Sequence, residues 1–193
     1  MSTPAAIRFL DQRTKTPFSG LYIHHDASLD RLIDDLLRIN QRIVWFPISI
    51  LPSENRIEAR KEAGERKGLD PEHLRFVSRI EDYALFFMAM YFNLMDVYDA
   101  HYSNIHLQGL ETGPTPIESE KFSAVENELS ILRLDSGYLN NVAYIVDIEF
   151  PDVNILTLKN EPILEIKTGN GESIVKGTFP HISNKREALL SQK

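Results

Sequence analysis

The chain of 193 residues contains no cysteine. That absence excludes a disulfide framework, a thiolate metal site and a cysteine nucleophile, and it fits any redox compartment. Long apolar runs are missing as well. The most hydrophobic stretch, Ala84 to Tyr98, spans fifteen residues and is interrupted by Asn93 and Asp96, short of the roughly twenty needed to cross a bilayer. The start, Met1-Ser2-Thr3-Pro4-Ala5-Ala6-Ile7-Arg8, lacks the basic segment and apolar run of a secretory signal, so a cytoplasmic location is expected. No G-x-x-x-x-G-K-[ST], G-x-G-x-x-G, H-E-x-x-H or G-x-S-x-G occurs, so the common phosphate-binding, zinc-protease and serine-hydrolase signatures are absent. Neither an internal repeat nor a dividing linker is present, and a single domain over residues 1–193 is expected, with a largely helical part at 21–135 and a β-meander at 142–179.

Positive charge is scarce in one region. Residues 1–70 carry eleven Lys/Arg against ten Asp/Glu, whereas between Glu81 and Asp152 only Lys121 and Arg133 stand against thirteen acids. Such a stretch repels nucleic acid and attracts a basic partner. Glu126, Glu128, Asp147 and Glu149 are the acids assigned to that surface.

Apolar spacing sets the expected architecture. Residues 28–42 place Leu29, Leu32, Ile33 and Leu36 on one helical stripe and Asp30, Arg31, Asp34 and Arg38 on the other. Ser53 to Lys67 predicts a second helix, almost wholly charged and weakened by Gly64 and Gly68. Asp70-Pro71-Glu72 is a strong helix start, and no glycine or further proline follows before Ala100, which predicts one long buried helix over about 71–100. Phe86, Phe87, Tyr91 and Phe92 then belong to the core. A third helix is expected at about 119–134. From residue 142 the period changes to two: Tyr144, Val146, Ile148 and Phe150 alternate with Ile145, Asp147 and Glu149. Further runs at 153–158, 163–168 and 173–179 are separated by Pro151-Asp152, Asn160-Glu161-Pro162 and Gly169-Asn170-Gly171. The fold class expected is therefore α+β, with the long helix packed on a four-stranded antiparallel sheet at about 142–179. The N-terminal twenty residues are expected as an irregular arm with at most a short strand at Ile7 to Leu10.

Two constellations could carry chemistry. Pro151-Asp152 followed by Glu165-Ile166-Lys167 resembles the signature of the PD-(D/E)xK nuclease superfamily. The resemblance implies Mg²⁺ held by Asp152 and Glu165, Lys167 stabilising the attacking water or the phosphorane charge, and an extra acid from Glu126 or Glu128. Residues i and i+2 of a strand share a face, so Glu165 and Lys167 project together. Separately, Asp96, Asp99 and His101, with His106 and His24-His25-Asp26, supply metal-ligand residue types near the end of the long helix.

Charge distribution and the lack of a complete catalytic motif favour a non-enzymatic acidic protein, without a cofactor, that recognises a basic protein partner in the manner of an inhibitor or immunity protein. The nuclease is the alternative, and a structural or accessory subunit is the third reading.

Overall fold

The structure, a computed structural model, describes residues 3–23, 27–46, 48–77, 80–91, 141–151 and 161–191. The chain divides into two compact units, one formed by residues 1–38, 127–153 and 158–193, the other by residues 39–126 and 154–157.

The first unit is built on a mixed five-stranded sheet of order β2-β1-β5-β6-β7. Its strands are β1 (Ala5–Asp11), β2 (Pro17–Ile23), β5 (Tyr144–Phe150), β6 (Ile163–Thr168) and β7 (Ser173–Thr178). All neighbouring strands run antiparallel except β1 and β5, which pair in parallel from Ala5 opposite Tyr144 to Asp11 opposite Phe150. This corrects the expected four-stranded antiparallel meander. The N-terminal arm is a full interior strand of the sheet, between β2 and β5, and Ala5, Ile7 and Phe9 are wholly buried on one face of it. The expected run at 153–158 lies outside the described residues. The Gly169-Asn170-Gly171 turn joins β6 to β7 as expected. Gly171 takes φ 91° and its N–H donates to the Thr168 carbonyl at 2.9 Å.

Two helices contribute to this unit. Helix α1 (Leu29–Gln41), of which residues 29–38 belong here and 39–41 to the second unit, buries Leu32, Ile33 and Leu36 and exposes Asp30, Arg31 and Asp34. Helix α4 (Phe179–Leu190) follows β7 directly, packs on β6 and β7, and buries Phe179 and Ile182. The two are linked by Arg186, whose Nη2 donates to Asp34 Oδ2 at 2.6 Å.

The second unit holds a two-stranded parallel sheet, β3 (Ile43–Trp45) with β4 (Arg75–Val77). Between them lies α2 (Ser53–Lys67), whose bounds match the expected charged helix. Ile57 is 65% exposed, while Ala63 and Gly64 are its buried residues. Gly64 is required here because a Cβ at this position would lie 2.8 Å from the Leu69 carbonyl oxygen and from Pro71 Cγ. Helix α3 (Ile80–Tyr91) carries Tyr83, Phe86 and Phe87, all fully buried. Tyr83 stacks on Trp45 with centroids 5.2 Å apart, and its hydroxyl hydrogen-bonds Asn40 Oδ1 at 2.9 Å.

The long helix expected over 71–100 is corrected by these elements. The Asp70 side chain does accept from the Glu72 N–H, at 2.9 Å, but it caps only a single 3₁₀ turn, Pro71–His73. Pairing with β3 and burial of Phe76 and Val77 then pull Arg75–Val77 into a strand, overriding local helical preference. Within the described residues the helix is confined to Ile80–Tyr91, and residues 92–100, like the third helix expected at 119–134, lie outside them.

Candidate functional site

The densest polar constellation among the described residues lies across the centre of the five-stranded sheet. Strand alternation puts Arg8 on the same face as Ala6 and Leu10, and Asp147 and Glu149 on the same face as Ile145. Register then aligns one row across four strands: Arg8 opposite Asp147, Asp147 opposite Glu165, and Glu165 opposite Lys176.

Two carboxylates directly opposite each other on neighbouring strands repel. Here a cation stands between them. Lys167 Nζ is 2.7 Å from Asp147 Oδ2 and 3.4 Å from Glu165 Oε2. Arg8 closes the other side of Asp147 as a fork, Nε to Oδ1 at 2.7 Å and Nη2 to Oδ2 at 2.8 Å. Lys176 reaches Glu165 Oε2 at 3.0 Å and Glu149 Oε1 at 3.8 Å. Lys15, from the turn between β1 and β2, donates to Glu149 Oε2 at 2.8 Å. Asp147, Glu149 and Glu165 are buried to 2%, 5% and 9% exposure, while the cations over them keep part of their surface in water.

The electrostatics follow from that geometry. Burial by itself pushes the Asp147 carboxyl up, but the hydrogen bonds from Arg8 and Lys167, with their charges, outweigh it and hold the group below the ordinary carboxylate range. Glu165 behaves likewise: burial pushes it up, and hydrogen bonds from Lys176 and Ser173 bring it below its ordinary value. For Lys167, burial pulls the ammonium down, and Asp147 and Glu165 together raise it above the ordinary value. All three groups are therefore held in their charged forms.

The sheet brings together some of the expected site residues. Glu165 and Lys167 share a face, as their spacing requires, and the acid beside them is Asp147. Asp152 lies outside the described residues, as do Glu126, Glu128, Asp96, Asp99, His101, His106, His24, His25 and Asp26. Asp147 and Glu149, expected on an open acidic surface, are instead buried under cations. The expected exposure of these two positions is corrected, because Arg8, Lys15, Lys167 and Lys176 reach over them. Among the described residues, no group of three or more His, Cys, Asp or Glu side chains is arranged to hold a metal ion. A divalent cation entering here has to displace Lys167 or Arg8 from Asp147. Arg8, Lys15 and Lys176 were not singled out from the sequence. Arg8 carries the one available signal, a charged residue in an apolar strand, which needs a buried counter-charge.

Among the described residues no helix is long and apolar enough to cross a membrane. No protein-family model matches the chain, and no curated protein or solved structure is significantly similar to it.

Proposed function

We propose that this chain is a non-enzymatic, cytoplasmic binding protein for a basic protein partner, inhibitor-like or immunity-protein-like in its electrostatics. What supports the reading is the division of its acids. Those of the central sheet are matched internally by Arg8, Lys15, Lys167 and Lys176. The excess of the −7 net charge resides elsewhere, chiefly in residues 92–140, with eight acids against two bases. An excess of acids over bases steers a basic partner at long range, an effect that salt shortens. Glu126 and Glu128 are the positions proposed to meet it.

The test measures association rates of a lysine- and arginine-rich polypeptide with the immobilised chain at low and high salt. The rate should fall with salt, and E126K/E128K should slow it at low salt only. Rates indifferent to both salt and charge reversal would remove the support for this reading.

A second reading, a Mg²⁺-dependent nuclease of the PD-(D/E)xK type using Asp152, Glu165 and Lys167, draws on the proximity of Lys167 to Glu165 on one face of β6. It requires cleavage of DNA that depends on Mg²⁺ or Mn²⁺ and disappears in Lys167→Ala. Lys176, already seated on Glu165, weighs against it.

A further inference from the structure

Among the described residues, Lys15 is the one residue other than glycine with a left-handed backbone, at φ 55°. A lysine has no intrinsic preference for it, since its Cβ crowds the following carbonyl there and its side chain offers no short hydrogen bond in return. The turn around it is closed by local hydrogen bonds. The Lys15 N–H donates to the Asp11 carbonyl at 2.9 Å, Arg13 pairs with Asp11, and Thr16 and Thr14 bond to each other. At its start the Gln12 N–H donates to the Phe150 carbonyl at 3.1 Å, and from Lys15 itself the ammonium reaches the Glu149 carboxylate of β5.

Glu149 has a second cation. Lys176 stands 3.8 Å from its other oxygen, so the carboxylate keeps a charge partner if Lys15 leaves. The sheet therefore does not depend on Lys15. Residues 13–17 are exposed, and the Lys15 side chain is 57% exposed, within reach of solutes and of modifying chemistry.

We infer that the turn between β1 and β2 is a strap latched to the sheet by the Lys15–Glu149 ion pair against a strained backbone, and that neutralising Lys15 releases it. Release lets residue 15 return to a right-handed or extended conformation and uncovers the Glu149 carboxylate. The latched and released forms share one intact sheet, including the Gln12 N–H on the Phe150 carbonyl, and differ only over residues 13–16.

Amide hydrogen exchange on the full chain tests this. In K15Q the charge is gone and the strain remains, so protection of the residue 15 N–H on the Asp11 carbonyl should fall severalfold, the scale of one partly exposed ion pair. Strands β5 and β6 should keep theirs. In K15G the charge is also gone, but glycine takes this conformation freely, and protection of the turn should stay near the starting value. E149Q should loosen the turn as K15Q does. The inference is overturned if K15Q leaves the turn as protected as before, if K15G loosens it as much as K15Q, or if K15Q exposes β5 along with the turn.

Discussion

The two faces of the five-stranded sheet come from the same strands and the same two-residue alternation, yet different forces hold them. One face presents Ile7, Phe9, Val146, Ile148, Leu164 and Ile166, wholly buried, and is stabilised by removal of apolar surface from water. The other presents three carboxylates nearly as buried, and is stabilised only because each carboxylate has cations in place. Alternation of apolar and charged residues is usually a sign of a wet face. Here charged residues on four strands neutralise one another, and the long Arg and Lys stems cover the acids while their heads stay partly in water.

The comparison can be broken most sharply at its centre. Asp147→Ala takes the carboxylate from under Arg8 and leaves Lys167 with Glu165 alone, and should cost about 4 kcal/mol, the range for breaking a buried pair from one side. On the apolar face, Ile148→Ala removes a fully buried side chain and should cost about 3 kcal/mol through lost transfer energy and the cavity left behind. Denaturant unfolding of both variants checks the order. A cost near zero for Asp147→Ala would show that the charged face contributes nothing.

Replacing Asp147 together with its two cations sharpens the same point. The triple variant Arg8→Met, Asp147→Leu, Lys167→Met removes Asp147 and both of its partners at once, leaves Glu165 paired with Lys176, and should fall within about 1 kcal/mol of the parent or exceed it, since desolvation of ion pairs offsets much of their attraction. A loss as large as that of Asp147→Ala alone would mean that the pairing itself, and not the avoidance of orphaned charge, stabilises the sheet.

Proton titration separates the faces further. Asp147 and Glu165 are held below their unfolded values, so their contribution is present above about pH 4, the unfolded carboxylate range, and is lost as pH falls through the folded values. Lys167 is held above its unfolded value, so its contribution is complete below about pH 10 and is lost as pH rises beyond that. Stability measured from pH 2 to 7 should therefore rise more steeply in the parent than in Asp147→Asn, while Ile148→Ala should keep the parent's slope. The smallest effect is expected at the exposed Arg186–Asp34 pair between α4 and α1: Arg186→Ala should leave the melting temperature unchanged.

Much of the local structure was legible in the sequence. The stripe of Leu29, Leu32, Ile33 and Leu36 specified α1, the charged run specified α2, and the Gly-Asn-Gly turn specified the β6–β7 hairpin. The shared face of Glu165 and Lys167 followed from a spacing of two. Long-range pairing left no such trace. Nothing near Ala5–Asp11 announces a parallel partner at Tyr144–Phe150, so an interior strand read as an arm. The cap at Asp70 was read correctly, but pairing with β3 ended the helix it seemed to start. At the candidate site, Asp147 and Glu149 read as surface acids because the cations that bury them come from β1, the β1–β2 turn, β6 and β7.

That parallel pairing of β1 with β5 also sets a timetable for biosynthesis. The two strands are separated by more than 130 residues of chain, and a ribosome adding about 5–20 residues per second needs on the order of 10 s to cover the distance. Throughout that interval β1 has emerged with β2 as its one available neighbour, its other edge unpaired and Arg8 without Asp147. A nascent hairpin in that state is a target for chaperones and for pairing with other chains.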